Sequence, residues 1–255
     1  MPFSIALAGK GGTGKTTVAG LLVKYLVQKN KIPILAVDAD SNANLNEVLG
    51  LKVSLTIGAA REEMKRGNVP NGMTKDVFMS MKLEESIIEA GNYDLIVMGQ
   101  PEGTGCYCAA NTLLTNFLDK LKNNYSYMVI DNEAGMEHIS RLTTSNVDVL
   151  LVVADTSLRG LQAAFRIKNL AKNLNIGVQK VFLIINRIKV ETHGRASLQE
   201  NILSMIKEEN IELAGIIPDD ENVYKYDLKG TPTLNLPEEL PVVKSAFKIF
   251  DKFII

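Results

Sequence analysis

The sequence predicts an α/β protein with one doubly wound, mostly parallel sheet covered on both sides by helices. Three observations carry that prediction. Short runs rich in Ile, Val and Leu on both faces recur along the chain, as strands buried on both sides do. Stretches with helical spacing separate them, and strand–helix alternation builds parallel sheets through crossover helices. The chain has 255 residues, which suits one large domain over 1–255. Such a chain buries roughly 70–75% of its unfolded surface, so neither disulfide nor metal is needed to hold it.

The strand runs lie at 3–8, 32–37, 94–98, 127–130, 149–154, 181–185 and 213–217. The first run passes directly into a glycine-rich segment. After it, Val18, Leu21, Leu22, Tyr25 and Leu26 fall at i, i+3, i+4, i+7 and i+8, the spacing of one helix face. The second run ends in Asp38-Ala39-Asp40. Residues 51–92 carry many charges and the punctuation Gly67-Asn68-Val69-Pro70-Asn71-Gly72. They read as an excursion with one or two short helices, not as a separate domain. Further helices are expected at 111–122, 158–174 and 196–208. There are no internal repeats and no low-complexity segments.

Composition narrows the function. The formal net charge is −1, so no global basic field points to nucleic acid or to an anionic membrane. The two cysteines, Cys106 and Cys108, are too close for an ordinary cystine and too few for a secreted disulfide framework. The N-terminus lacks the basic start and apolar run of a signal peptide. No run of about 18 apolar residues offers a membrane span. These features lead us to expect a soluble protein of a reducing cytoplasm, without nucleic-acid partners or stable membrane association.

The pattern G-x-x-x-x-G-K-[ST] stands at 9–16 as Gly9-Lys10-Gly11-Gly12-Thr13-Gly14-Lys15-Thr16, directly after a strand and directly before a helix. That context is the one a phosphate-binding loop requires. Backbone N–H groups of Gly11, Gly12, Thr13 and Gly14 can turn toward phosphate oxygens, and the helix N-terminus adds partial positive charge. Lys15 is expected to bridge the β- and γ-phosphates of ATP. The Thr16 hydroxyl is expected to ligate Mg²⁺, with Thr17 completing the cofactor-binding set. Asp131 ends the run at 127–130, the position of a carboxylate that holds Mg²⁺ through water. Of Asp38 and Asp40, one can serve Mg²⁺ and the other can orient the attacking water. Each could instead cap a turn or helix.

With Lys10 before Gly11-Gly12, the loop resembles the deviant Walker A of the MinD/ParA/nitrogenase-iron-protein class. The resemblance implies a nucleotide-sandwich homodimer in which Lys10 of one subunit reaches the phosphates held by the other. It also implies that Asp38-Ala39-Asp40 and 131–135 are the two switch segments, that Asn186 reads adenine, and that Pro218 and Asp219 flank the base. Lys10, Lys15 and Asp40 are the expected catalytic residues.

Cys106 and Cys108 cannot close a metal site in one chain, but a two-fold dimer brings four thiolates to its axis. Thiolates suit Zn²⁺, Ni²⁺ or an iron–sulfur cluster, and four of them alone do not choose. The run Pro101-Glu102-Gly103-Thr104-Gly105-Cys106-Tyr107-Cys108, together with Asp131-Asn132-Glu133-Ala134-Gly135-Met136-Glu137-His138, is similar to the CooC/AcsF family. That family comprises nickel-insertion accessory ATPases for carbon monoxide dehydrogenase and acetyl-CoA synthase. The resemblance implies an ATP-hydrolysing dimer with Ni²⁺ (or Zn²⁺) between its cysteine pairs and a nickel enzyme as client. The chain has only His138 and His193 and no His-rich tail, so metal storage is not implied.

Two other readings remain. A MinD/ParA-type positioning ATPase finds support in Lys244, Lys248 and Lys252 along one stripe opposite Val243, Phe247, Phe250 and Ile254, the pattern of a membrane-surface helix or of a last helix packed on the sheet. An iron–sulfur carrier or reductase of the same superfamily would also use thiolates at a dimer axis.

Overall fold

The computed structural model describes residues 1–100, 106–135, 147–173, 177–188 and 195–254; at 106–108 and 195–200 it describes the backbone alone. One sheet holds eight strands in the order β3-β4-β2-β5-β1-β6-β7-β8. They are β1 (Phe3–Gly9), β2 (Ile34–Ala39), β3 (Ile88–Glu89), β4 (Tyr93–Val97), β5 (Tyr127–Asn132), β6 (Val149–Ala154), β7 (Lys180–Ile188) and β8 (Glu212–Pro218). Every pairing is parallel except that of β3, a two-residue antiparallel edge. The expected α/β class with its mostly parallel sheet is what the chain forms.

Helices cover both faces. They are α1 (Lys15–Gln28), α2 (Leu45–Leu49), α3 (Ile57–Lys65), α4 (Lys75–Glu85), α5 (Cys106–Leu121), α6 (Leu158–Asn173), α7 (Arg195–Glu208), α8 (Glu221–Leu228) and α9 (Pro241–Phe250). Alternate residues of each strand feed the two cores, as the period of two requires. Ile5 and Leu7 of β1 join Val18, Leu22 and Leu26 of α1 and Val243 and Phe250 of α9 in one core. Ala6 and Ala8 join Leu114 and Phe117 of α5 and Leu161 and Phe165 of α6 in the other.

Several boundaries differ from expectation for physical reasons. The second strand begins at Ile34 instead of 32, because Pro33 has no N–H to give a ladder. Its carbonyl accepts the Ser126 and Tyr127 N–H groups at 2.9 and 3.2 Å. The excursion at 51–92 holds two helices, each opened by a threonine cap. Thr56 accepts from the Ala59 N–H at 3.1 Å and Thr74 from the Val77 N–H at 3.3 Å. The helix expected at 111–122 starts at Cys106, which puts both cysteines in the first turn of α5.

The C-terminal stripe has a clear fate. Val243 and Phe250 are fully buried and Ile254 nearly so. Tyr25 of α1 meets Phe247 and Phe250 edge-on, with ring centroids 5.2 and 5.6 Å apart. Its hydroxyl donates to Asp251 at 2.6 Å. The apolar face of α9 is therefore occupied by α1 and β8, while Lys244 and Lys248 face water. Among the described residues, no helix is long and apolar enough to cross a membrane.

Candidate functional site

The site lies at the C-terminal edge of the sheet, where β1 stops. Gly9 is its last residue, and a Cβ there would come within 2.3 Å of the Val153 carbonyl oxygen on β6. Only glycine lets the chain leave the sheet at this point. Gly14 then caps α1 in the left-handed region at φ 85°. Between them the loop closes on itself, with the buried Thr13 hydroxyl donating to the Lys10 carbonyl at 2.9 Å.

Two residues from the end of β7 fasten this loop. The Asn186 side-chain amide donates to the Thr13 carbonyl at 2.8 Å, and the Arg187 guanidinium donates to the Gly12 carbonyl at 3.0 Å. The first engages one amide hydrogen of Asn186 and leaves the other, with the side-chain carbonyl, for a ligand. Arg187 was not a site residue by sequence. In a regular strand it would lie on the face opposite Asn186, so alternation pointed away from it.

Lys15 is 7% exposed. Burial lowers its pKa, and the carboxylates of Asp131, Asp40 and Glu133 oppose that shift. Asp131, on β5, pairs in register with Leu7 of β1 and Asp38 of β2. Its carboxyl is pushed up to about 6, first by burial, while a hydrogen bond with the Thr16 side chain and the charge of Lys15 pull it down. One Asp131 oxygen, Oδ1, is buried without a partner. An unpartnered carboxylate oxygen beside a hydroxyl is a donor set that fits a small hard cation such as Mg²⁺.

The two aspartates at the end of β2 differ in their bonding. Asp38 is 1% exposed, and its oxygens accept the Leu45 N–H at 2.8 Å and the Asp40 N–H at 3.1 Å. Its carboxyl rises to about 7, chiefly by burial and then by the Asp131 charge. Both oxygens thus accept backbone N–H groups, the bonding that the turn-capping role requires. Asp40 is half-buried and accepts from the Asn42 N–H at 2.8 Å. The loops meet across the site: Ser41 donates to Glu133 at 3.5 Å, and a Cβ on Gly11 would touch Ala134 at 3.7 Å. Lys10 is exposed on the outer rim.

Beside the loop, Thr17, Asn186, Arg187, Pro218 and Asp219 line one crevice. It adjoins a cleft of ≈ 500 Å³ that reaches Tyr224 and Thr231. The Asp219 N–H donates to the Ile188 carbonyl at 2.9 Å, which ties the end of β8 to the end of β7. All the expected phosphate and base residues thus gather on one edge. The cysteine pair enters from the same edge, after β4, whose Val97 is level with Asp38 of β2. Pro101 to Gly105, His138, His193 and the thiol groups themselves lie outside the described residues.

Comparison with known proteins gives a consistent answer. The pattern of the CobQ/CobB/MinD/ParA nucleotide binding domain matches residues 4–234. An uncharacterized ATP-binding protein of Methanocaldococcus jannaschii is 44% identical over 254 residues, 98% of each chain. The carbon monoxide dehydrogenase accessory protein CooC of Rhodospirillum rubrum is 30% identical over 253 residues, 91% of this chain and 89% of its own. The septum site-determining protein MinD of Synechocystis is 27% identical over 248 residues, 96% and 85%. Among solved structures, MinD of Pyrococcus horikoshii complexed with Mg-ADP superposes with a TM-score of 0.72 at 22% identity, covering 100% of this chain and 96% of that one.

Proposed function

The chain belongs to the CobQ/CobB/MinD/ParA nucleotide binding domain family, and on that footing we propose that it is an ATP-dependent nickel-insertion factor. Its client would be a nickel enzyme of the carbon monoxide dehydrogenase or acetyl-CoA synthase kind. The observation that carries this reading is the pair Cys106 and Cys108 at the head of α5, on the sheet edge that also bears the phosphate loop. The relation to CooC supports it, as does the pairing of the cysteine run with the segment 131–138.

The chemistry assigned to the site is hydrolysis of ATP to ADP and phosphate. Water attacks the γ-phosphorus, the bond to the bridging oxygen breaks, and a proton is released. The loop N–H groups and Lys15 hold the phosphates. Thr16 and Asp131 hold Mg²⁺, which when bound shares the charge of the β- and γ-phosphates. Asp40 orients the water. Lys10 reaches the phosphates of a second copy in a homodimer and steadies charge there as an arginine finger does. Asn186 takes the edge of adenine, with Pro218 and Asp219 beside the base. Nickel is the cargo, held by Cys106 and Cys108 of both subunits. A γ-phosphate contact made in one dimer geometry only biases that geometry, and hydrolysis releases it.

The MinD relatives support a positioning ATPase with equal weight on family grounds. One observation weighs against membrane positioning, the covered apolar stripe of α9, and that reading leaves the cysteine pair unexplained. The test is an anaerobic Ni²⁺ titration of reduced protein, followed by thiolate-to-nickel charge-transfer absorbance and light-scattering mass. One nickel per two chains with a doubled mass supports nickel insertion. Nickel held by a monomer, or no band, defeats it. A brown protein with cluster absorbance after iron–sulfur reconstitution favours the carrier reading.

A further inference from the structure

We propose that Arg187 is a positioning residue of the nucleotide site, acting from a bulge in β7 to hold the phosphate loop in its binding shape before nucleotide arrives. The inference rests on the nucleotide-binding reading above and adds a residue that the phosphate-loop pattern does not contain.

The sheet itself supplies the first observation. Between β7 and β8 the pairing steps from Ile185–Ile216 to Ile188–Pro218, so β7 carries one more residue than its partner over this stretch. Arg187 sits inside that stretch with φ 58°. A long side chain in the left-handed region is uncommon and costs conformational energy, and such residues gather at functional sites. Bulges of this kind re-aim side chains. Here the effect is visible: two consecutive residues, Asn186 and Arg187, reach the same loop, which a regular strand would forbid.

The second observation is what the two side chains grip. Asn186 takes the Thr13 carbonyl and Arg187 the Gly12 carbonyl, at 2.8 and 3.0 Å. In a trans peptide the C=O and the following N–H point in opposite directions. Holding the Thr13 oxygen on one side turns the Gly14 N–H toward the other, where phosphate oxygens would lie, while the Gly12 oxygen is held opposite a Thr13 N–H that donates to the Lys10 carbonyl at 3.4 Å. A Cβ on Gly14 would lie 2.5 Å from the Asn186 amide nitrogen and 3.5 Å from Arg187 Nε. That close approach explains why the loop needs glycine there, independently of its φ. Gly12 is exposed, and besides Arg187 its peptide is held by the long 3.4 Å bond from the Thr13 N–H to the Lys10 carbonyl. Without the guanidinium, ordering of this turn would be deferred to binding and would weaken it.

The experiment compares Arg187→Ala, Arg187→Gly and Arg187→Lys. Calorimetric affinity for ADP and ATP, thermal midpoint, and amide exchange of residues 11–14 in the nucleotide-free protein are the readouts. Glycine relieves the backbone at φ 58°, so its midpoint should exceed that of the alanine variant. Both should nevertheless bind ADP about tenfold more weakly than wild type, with faster exchange at 11–14, and lysine should recover part of the affinity. An Arg187→Gly variant that binds ADP as tightly as wild type, with unchanged loop exchange, would overturn the proposal. A wild-type protein that binds neither ADP nor ATP would overturn the nucleotide reading itself, an outcome distinct from the first.

Discussion

Replacing Asp38 by Asn should invert the order of stability of the two proteins between pH ~3 and mildly basic pH. Asp38 is almost wholly buried, and its neighbour Asp131 adds like charge. Its carboxyl rises from 3.8 to about 7 in the folded chain. A carboxyl that binds its proton more tightly when folded favours the native state below the unfolded pKa. That advantage is lost as pH climbs from about 4 through about 7. The difference corresponds to about 4 kcal/mol at most, shared with the titration of Asp131, which lies at about 6. Asparagine never ionises, so the variant escapes this loss. It retains one good acceptor for two backbone donors, Leu45 and Asp40, which costs about 1 kcal/mol. Urea unfolding of the nucleotide-free protein in chelator should therefore find Asp38→Asn about 1 kcal/mol less stable at pH ~3, below the unfolded pKa. Near pH 8 it should be more stable than wild type by a few kcal/mol. A constant difference between the two proteins at both pH values would refute the argument that Asp38 is held against its charge.

Other outcomes follow from the same geometry and from the proposed function. Lys10 is exposed and enters the loop's internal bonds through its carbonyl, which alanine keeps, so Lys10→Ala should bind nucleotide as wild type does and lose about 10³-fold in hydrolysis; unchanged turnover in a phosphate-release assay would remove the trans-acting lysine. Cys106→Ser should abolish the nickel charge-transfer band while calorimetry still finds ATP binding, and retained nickel affinity would defeat the shared thiolate site. Phe250→Ala should lower unfolding free energy by about 3–5 kcal/mol, because the ring is fully buried against Tyr25 and Phe253; a smaller loss in denaturant titration would mean that α9 is not part of the core.

What could be read from the chain was what local chemistry fixes. The glycine and lysine spacing at 9–16 identifies a phosphate loop because each residue answers a backbone requirement within a few positions. Runs such as 149–154 are apolar throughout and bury on both faces, so β6 matches its expected span. Elements held by a few contacts were illegible. β3 has two residues, and α2 has five. α8 buries none of its residues and leans on the Asp220 cap and an exposed Lys225–Glu221 pair at 3.3 Å. The early start of α5 escaped notice because its apolar rhythm begins only with Ala110, Leu114 and Phe117. Arg187 was hidden for a different reason. Its role depends on a register shift between β7 and β8, a relation between distant segments that no local pattern records.

The packing of α9 also decides where the chain can be cut. The nucleotide-binding pattern matches residues 4–234, but the interior runs on past that point, as does the likeness to a full-length relative over 98% of the chain. Val243, Ala246, Ile249 and Phe250 fill the same core as Ile5 and Leu22, and the Lys24 ammonium donates to the Leu234 carbonyl at 2.7 Å, right at that border. A chain cut at residue 234 would keep every residue assigned to the nucleotide and lose one wall of the room they stand in. The smallest unit that can be moved, tagged or fused without unmaking the protein is set by this closing helix, which lies beyond the residues the nucleotide-binding pattern matches.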